Sequence, residues 1–193
     1  MKKISALVLL IAFLYTACKS DKSNGSSKVN ENDTTKFFQV SQFLQGQIKE
    51  VNTTPFFIYR IDIINDKKDS SSINTTTFNE LSKQFLTPDI NDEKIKRYYN
   101  ESIFEDQTTK GFTINYSTSN KELELQNVDI LLNEDGQTVK RILLRKYFNY
   151  SDSSAIEQLS WKPDESFQVN RSVQKAGNSE TTLQTMVVWN KKS

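Results

Sequence analysis

The chain has 193 residues, with 25 Lys and Arg against 24 Asp and Glu, no His and a single Cys. A balance so near neutral supplies no field to gather nucleic acid. Without His there is no Ser-His-Asp triad, no Cys-His dyad and no imidazole acid–base work, and the His-rich zinc and copper sites are lost as well.

Lys2 and Lys3 head an apolar run, Ile4 to Leu14, broken only by Ser5. The run is too short for a bilayer core of ~30 Å, which takes about 20 apolar residues. A charged head, a short apolar stretch and small residues before a junction describe a secretory signal peptide. Thr16 and Ala17 are the small residues, and Cys18 follows them.

The stretch Leu14-Tyr15-Thr16-Ala17-Cys18 resembles the lipobox of bacterial lipoproteins, with Tyr15 where Leu is usual. The resemblance covers residues 1–18 only. It implies cleavage before Cys18, acylation of its thiol and its new amino terminus, and a membrane tether. A lone exposed thiol in an oxidising compartment has no disulfide partner and is reactive, whereas several acyl chains anchor stably. In such lipoproteins an Asp after the Cys commonly means inner-membrane retention. Lys19 stands there instead, so the expected place is the outer membrane. Residues 18–35, rich in Ser, Asn, Asp and Lys, read as a flexible tether. Residues 36–193 remain for one α+β domain, a size that buries a core.

Phe37, Val40, Leu44 and Ile48 recur at helical spacing, with Asp33 or Thr34 as cap, and predict a first helix. Gly46 lies inside it and costs about 1 kcal/mol against Ala. Pro55 to Ile64 reads as a strand of period two, and Asn65 to Asn74 as a polar loop. Thr77-x-x-Glu80 matches a capping box and opens a second helix. A third helix follows Thr87 with Pro88 in its first turn; alternatively Pro88 lies in a turn and the helix starts at Asn91.

From Ser102 onward the pattern becomes short alternating runs. Phe112, Ile114 and Tyr116 alternate, as do Leu123 and Leu125, and then Val128, Ile130 and Leu132 in shifted phase. The shift near Asn127 predicts a bulge, and Asp135-Gly136 a hairpin turn. Val139 to Tyr150, Ala155 to Trp161, Phe167 to Val173 and Leu183 to Trp189 complete the series. Lys162 to Glu165 and Gly177-Asn178 are turns between them. The fold class is α+β, with N-terminal helices packed on a curved antiparallel meander. By analogy of element order it is similar to the cystatin-like and nuclear-transport-factor-like folds (NTF2-like), with a lipocalin-like barrel as the alternative.

Chemistry is sparse. Asn133 to Gly136 lacks the alternating ligands and distant Glu of a calcium loop, and no cofactor or metal is expected. Arg60, Arg141, Arg145 and Arg171, with Tyr147 and Trp161, are the candidate ligand or partner patch. The competing reading pairs these arginines with acidic neighbours across strands. The chain is accordingly expected to be no enzyme, but a binding or accessory module for an apolar ligand or an envelope protein. The alternative is a hydrolase of envelope glycan using carboxylates among Asp62, Glu122, Glu124 and Asp129.

Overall fold

The computed structural model describes residues 36–191. The expected signal segment, Cys18, the tether and the caps at Asp33 or Thr34 lie outside the described residues.

Helix α1 spans Val40–Thr53 and buries Val40 and Leu44 of the expected stripe together with Val51, while Ile48 is half-buried. It begins later than Phe37 because that residue is drawn to the sheet. The Phe37 ring lies 4.5 Å from the Tyr116 ring, and the Phe38 N–H donates to Tyr116 Oη at 2.9 Å.

Strand β1 (Phe56–Ile64) turns directly into β2 (Lys67–Ser72). The two-residue connection, Asn65-Asp66, has φ of 47° and 67°, the positive pair that tight hairpins favour. The loop expected over 65–74 is therefore corrected to a hairpin with a polar second strand. Every residue of β2 is exposed, so no apolar alternation marks it. Its lysines and aspartate are what a free sheet edge commonly carries.

Helix α2 (Thr75–Ser82) starts two residues before the expected capping box. Its cap is Asn74, whose side-chain oxygen accepts from the Thr77 N–H at 2.9 Å. A 3-10 turn, Lys83–Phe85, follows, and then the single-turn helix α3 (Glu93–Lys96), capped by Asp92. Pro88 is in the connection and not in a helix, the second of the two readings offered by the sequence.

The remaining strands are β3 (Asn100–Glu105), β4 (Phe112–Ser117), β5 (Leu125–Leu132), β6 (Val139–Asn149), β7 (Ser153–Lys162), β8 (Ser166–Lys175) and β9 (Thr181–Lys191). The expected bulge is present, with register slipping between Leu125 and Asn127. Gly136 turns the β5–β6 hairpin at φ 66°.

All pairings are antiparallel, in the order β2-β1-β9-β8-β7-β6-β5-β4-β3. Sequential neighbours pair everywhere except at one place, and β1 returns to β9. That is the order of an up-and-down barrel opened between β2 and β3. The chain between those two strands carries α2, the 3-10 turn and α3. The expected layering is thus matched in part: one antiparallel sheet with few helices, of which only α1 precedes the strands.

One face of the sheet is covered by the helical segments. Phe78 of α2 and Phe85 of the 3-10 turn pack on Trp161, Phe167 and Trp189, all five at most 2% exposed. Phe85 meets Trp161 edge-on at 5.2 Å, and Phe78 meets Trp189 edge-on at 5.5 Å, the geometry that aromatic quadrupoles favour. Truncating one such ring costs about 3–5 kcal/mol. Polar ties hold the helical layer in place: Ser41 Oγ donates to the Leu86 carbonyl at 3.2 Å, and Asn52 Nδ2 to Asn79 Oδ1 at 3.0 Å.

Candidate functional site

Directly opposed residues of adjacent strands share a face, so the register sorts the six residues of the expected patch. Arg141, Arg145 and Tyr147 alternate along β6 on the helix-free face. Trp161, opposite the core residue Ile142, is on the covered face, as are Arg60, opposite Val187, and Arg171, opposite Glu157. The expected single patch is corrected accordingly: the parity of each strand splits it in two. Trp161 is fully buried in the aromatic core, and its indole N–H has no hydrogen-bond partner among the described residues.

On the covered face the arginines pair with acids, Arg171 across strands as the competing reading has it and Arg60 along its own strand. Arg60 Nε lies 2.8 Å from Asp62 Oδ2, and Asp62 Oδ1 accepts from Thr185 Oγ1 at 2.6 Å. Lys146, Glu157 and Arg171 stand opposite one another on three successive strands. Lys146, 2% exposed, donates to the Gln84 and Thr87 carbonyls at 2.8 and 2.5 Å, with Glu124 at 3.4 Å. Arg171 bonds Glu157 at 2.5 Å and Tyr150 Oη at 3.3 Å. Burial opposes the Arg171 charge, yet Tyr150 and Glu157 outweigh it and hold the pKa raised. This ladder closes the end of the aromatic core, and its groups are spent on one another.

The helix-free face is different. A groove of about 280 Å³ crosses β5 to β8 on it. Asp129 opposes Leu143, which opposes Ser160, which opposes Gln168; one pleat along, Asn127, Arg145, Gln158 and Asn170 form a parallel row. At one end Asn115 Nδ2 donates to Asn127 Oδ1 at 2.9 Å and to Asp129 Oδ1 at 2.6 Å. Asn127 Nδ2 donates to Asp129 Oδ2 at 2.7 Å, so the one carboxylate is held by amides. Arg141 Nη1 donates to Ser160 Oγ, and Gln168 Nε2 to Asn170 Oδ1, both at 2.9 Å.

Arg145 and Gln158, opposed across β6 and β7, are both exposed, and their side chains have no hydrogen bond or ion pair among the described residues. Beside them Tyr147 and Ile156, also directly opposed, are 40% and 37% exposed. The floor therefore offers both donors and acceptors, formal charge from two Arg and one Asp, and an apolar rim. Sequence reasoning picked Arg141, Arg145 and Tyr147 but missed Asn127, Gln158, Ser160, Gln168 and Asn170. Their only signal is period-two polarity, shared with any solvated face.

A larger hollow, about 490 Å³, lies at the tips of the β3–β4 and β5–β6 hairpins. Two of its acids, Asp106 and Asp135, serve their own turns. Asp106 accepts from the Thr109 hydroxyl and from the Thr108 and Thr109 N–H groups, and Asp135 does the same with Thr138 and Gln137. These bonds, led by each threonine hydroxyl, hold both carboxyls below the usual range. Among the described residues no group of three or more acids or Cys is placed to hold a metal.

The carboxylates considered for hydrolysis are not assembled. Asp62 on β1 and Asp129 on β5 have four strands between them and lie on opposite faces, and Glu124 stands by Lys146.

No protein-family model and no curated protein matches the chain. Among solved structures, the S-type phycobiliprotein lyase CPES from Guillardia theta is similar at a TM-score of 0.29 and 11% identity, covering 81% of this chain and 94% of that one. The expectation that the chain is not an enzyme is corrected here. The similar structure is named as a lyase. At that TM-score the likeness carries no argument about the chemistry of this chain.

Proposed function

We propose that this chain is an outer-membrane lipoprotein, tethered through acylated Cys18, whose domain binds a ligand or an envelope partner in the groove on its helix-free sheet face. The observation that carries the reading is the pair Arg145 and Gln158. The fold leaves these two planar polar side chains without partners, opposed in a groove, while Asp129, Arg141 and Asn170 around them are engaged. A guanidinium and an amide so placed are strong hydrogen-bonding groups for a bound molecule. The exposed Tyr147 and Ile156 beside them supply apolar contact.

The scaffold reading goes with it. Strands β3 to β9 in unbroken order, with β1 back beside β9, support a lipocalin-like arrangement over the cystatin-like or NTF2-like one. The helical segment stands in the chain where the barrel would close.

The test is native mass spectrometry of the full chain, purified from its host in mild detergent, beside an Arg145→Glu, Gln158→Ala double variant. A retained mass, or a cross-linked partner, that is lost in the variant supports the groove. Cargo held equally by both chains overturns it. Labelled palmitate should enter the wild-type chain and not Cys18→Ser; label in both would sink the anchor.

A further inference from the structure

We propose that the groove takes an acidic glycan strand, lying across β5 to β8 with a carboxylate on Arg145; this rests on the groove being the binding site. Three features point to that chemistry. The first is shape. Two parallel rows, polar except at Leu143, run perpendicular to the strands, so the sites repeat at the inter-strand spacing of ~4.8 Å over roughly 14 Å. A linear ligand with a short repeat, such as a pyranose chain, fits such a track.

The second is the hydrogen-bonding inventory. Sugars carry many hydroxyls, each a donor and an acceptor at once. The rows answer with side chains of both kinds: Gln158, Asn170 and Gln168 amides, the Ser160 hydroxyl, and guanidinium donors. Leu143 lies in the middle of the floor, where an apolar C–H face of a sugar ring would rest.

The third is charge. Asp129 is already satisfied by Asn115 and Asn127, which leaves Arg145 as a cation with no partner among the described residues. An unpaired guanidinium beside amides matches a carboxylate through two parallel N–H···O bonds.

The experiment is calorimetric titration of the full chain in mild detergent with galacturonate oligomers of defined length and with cello-oligomers of the same lengths. We expect uronate affinity to rise with length and level off at about three or four units, the span of the groove. Arg145→Gln should weaken uronate binding about tenfold or more, the worth of a charge-assisted bond, and leave the neutral oligomers unchanged. Gln158→Ala should weaken both series. Lys67→Gln, which removes a cation from the edge strand, should change neither.

The proposal is overturned if neutral oligomers bind as well as uronates, if a single unit binds as well as four, if Lys67→Gln costs as much as Arg145→Gln, or if no oligomer binds. Absence of glycan binding together with a cargo whose retention depends on Arg145 would remove the glycan and leave the groove. A cargo indifferent to Arg145 would remove both.

Discussion

The Tyr99 hydroxyl donates to the Leu125 carbonyl at 2.5 Å, at the point where β5 slips register against β6. The contact pins the chain leaving α3 to the bulge. Tyr99 is 6% exposed and Tyr116 1%. Burial pushes the phenol of each up to about 12, in Tyr116 against the Phe38 N–H. A phenol whose folded pKa exceeds its ordinary value of 10.0 contributes stability that is whole below pH 10. That stability is lost as pH climbs toward 12. Urea unfolding measured through this window should show stability falling with pH. The slope should be shallower in Tyr99→Phe, which should also lose about 1–2 kcal/mol at neutral pH. An equal slope in both chains would contradict the account.

Lys146 is the buried cation that joins the sheet to the segment after α2. Lys146→Met keeps the aliphatic stem but leaves the Gln84 and Thr87 carbonyls without their donor. Stranding buried partners in this way costs about 3 kcal/mol. Denaturant midpoints should show the loss, and amide exchange should accelerate over residues 83–90. A Met variant as stable as the parent would mean that the ladder contributes nothing net.

Gly46 sits within α1, exposed, and a Cβ there would meet nothing within 4 Å. Gly46→Ala should therefore raise stability by up to about 1 kcal/mol through helix propensity, read as a higher thermal midpoint. Gly111→Ala should do the reverse, because its Cβ would come within 2.7 Å of the Leu132 carbonyl oxygen.

The Asp135 carboxyl is lowered first by the Thr138 hydroxyl and then by turn N–H groups. A depressed carboxyl contributes stability that is present above its unfolded pKa and lost as pH falls through the folded one. Carboxyl NMR titration should place Asp135 below an ordinary aspartate, and Thr138→Val should move it upward. No movement would show that the N–H groups act without the hydroxyl.

Much of the fold is legible in the sequence, and the reason differs by element. Strands β5 to β9 announce themselves because one face of each is buried, which forces apolar residues to every second position. The phase shift before Val128 marks the bulge for the same reason. β2 is invisible because neither of its faces is covered, and an all-exposed edge selects charge and hydroxyl instead of alternation. The capping residue of α2 was misplaced because Asn74 and Thr77 both cap well and only the backbone path chooses between them.

The sequence alone determined the absence of imidazole chemistry, the lipobox-like stretch ending at Cys18 and the residues that would alternate. Only the tertiary structure decided which arginines meet. Alternation says that Arg141 and Arg145 share a side of β6, but whether that side is Trp161's is set by strand pairing, a long-range property with no local trace. Pairing put Arg171 against Glu157, where its charge is neutralised, and Arg145 against Gln158, where it is not. Residues of one type thereby became a brace on one face and an exposed cation on the other.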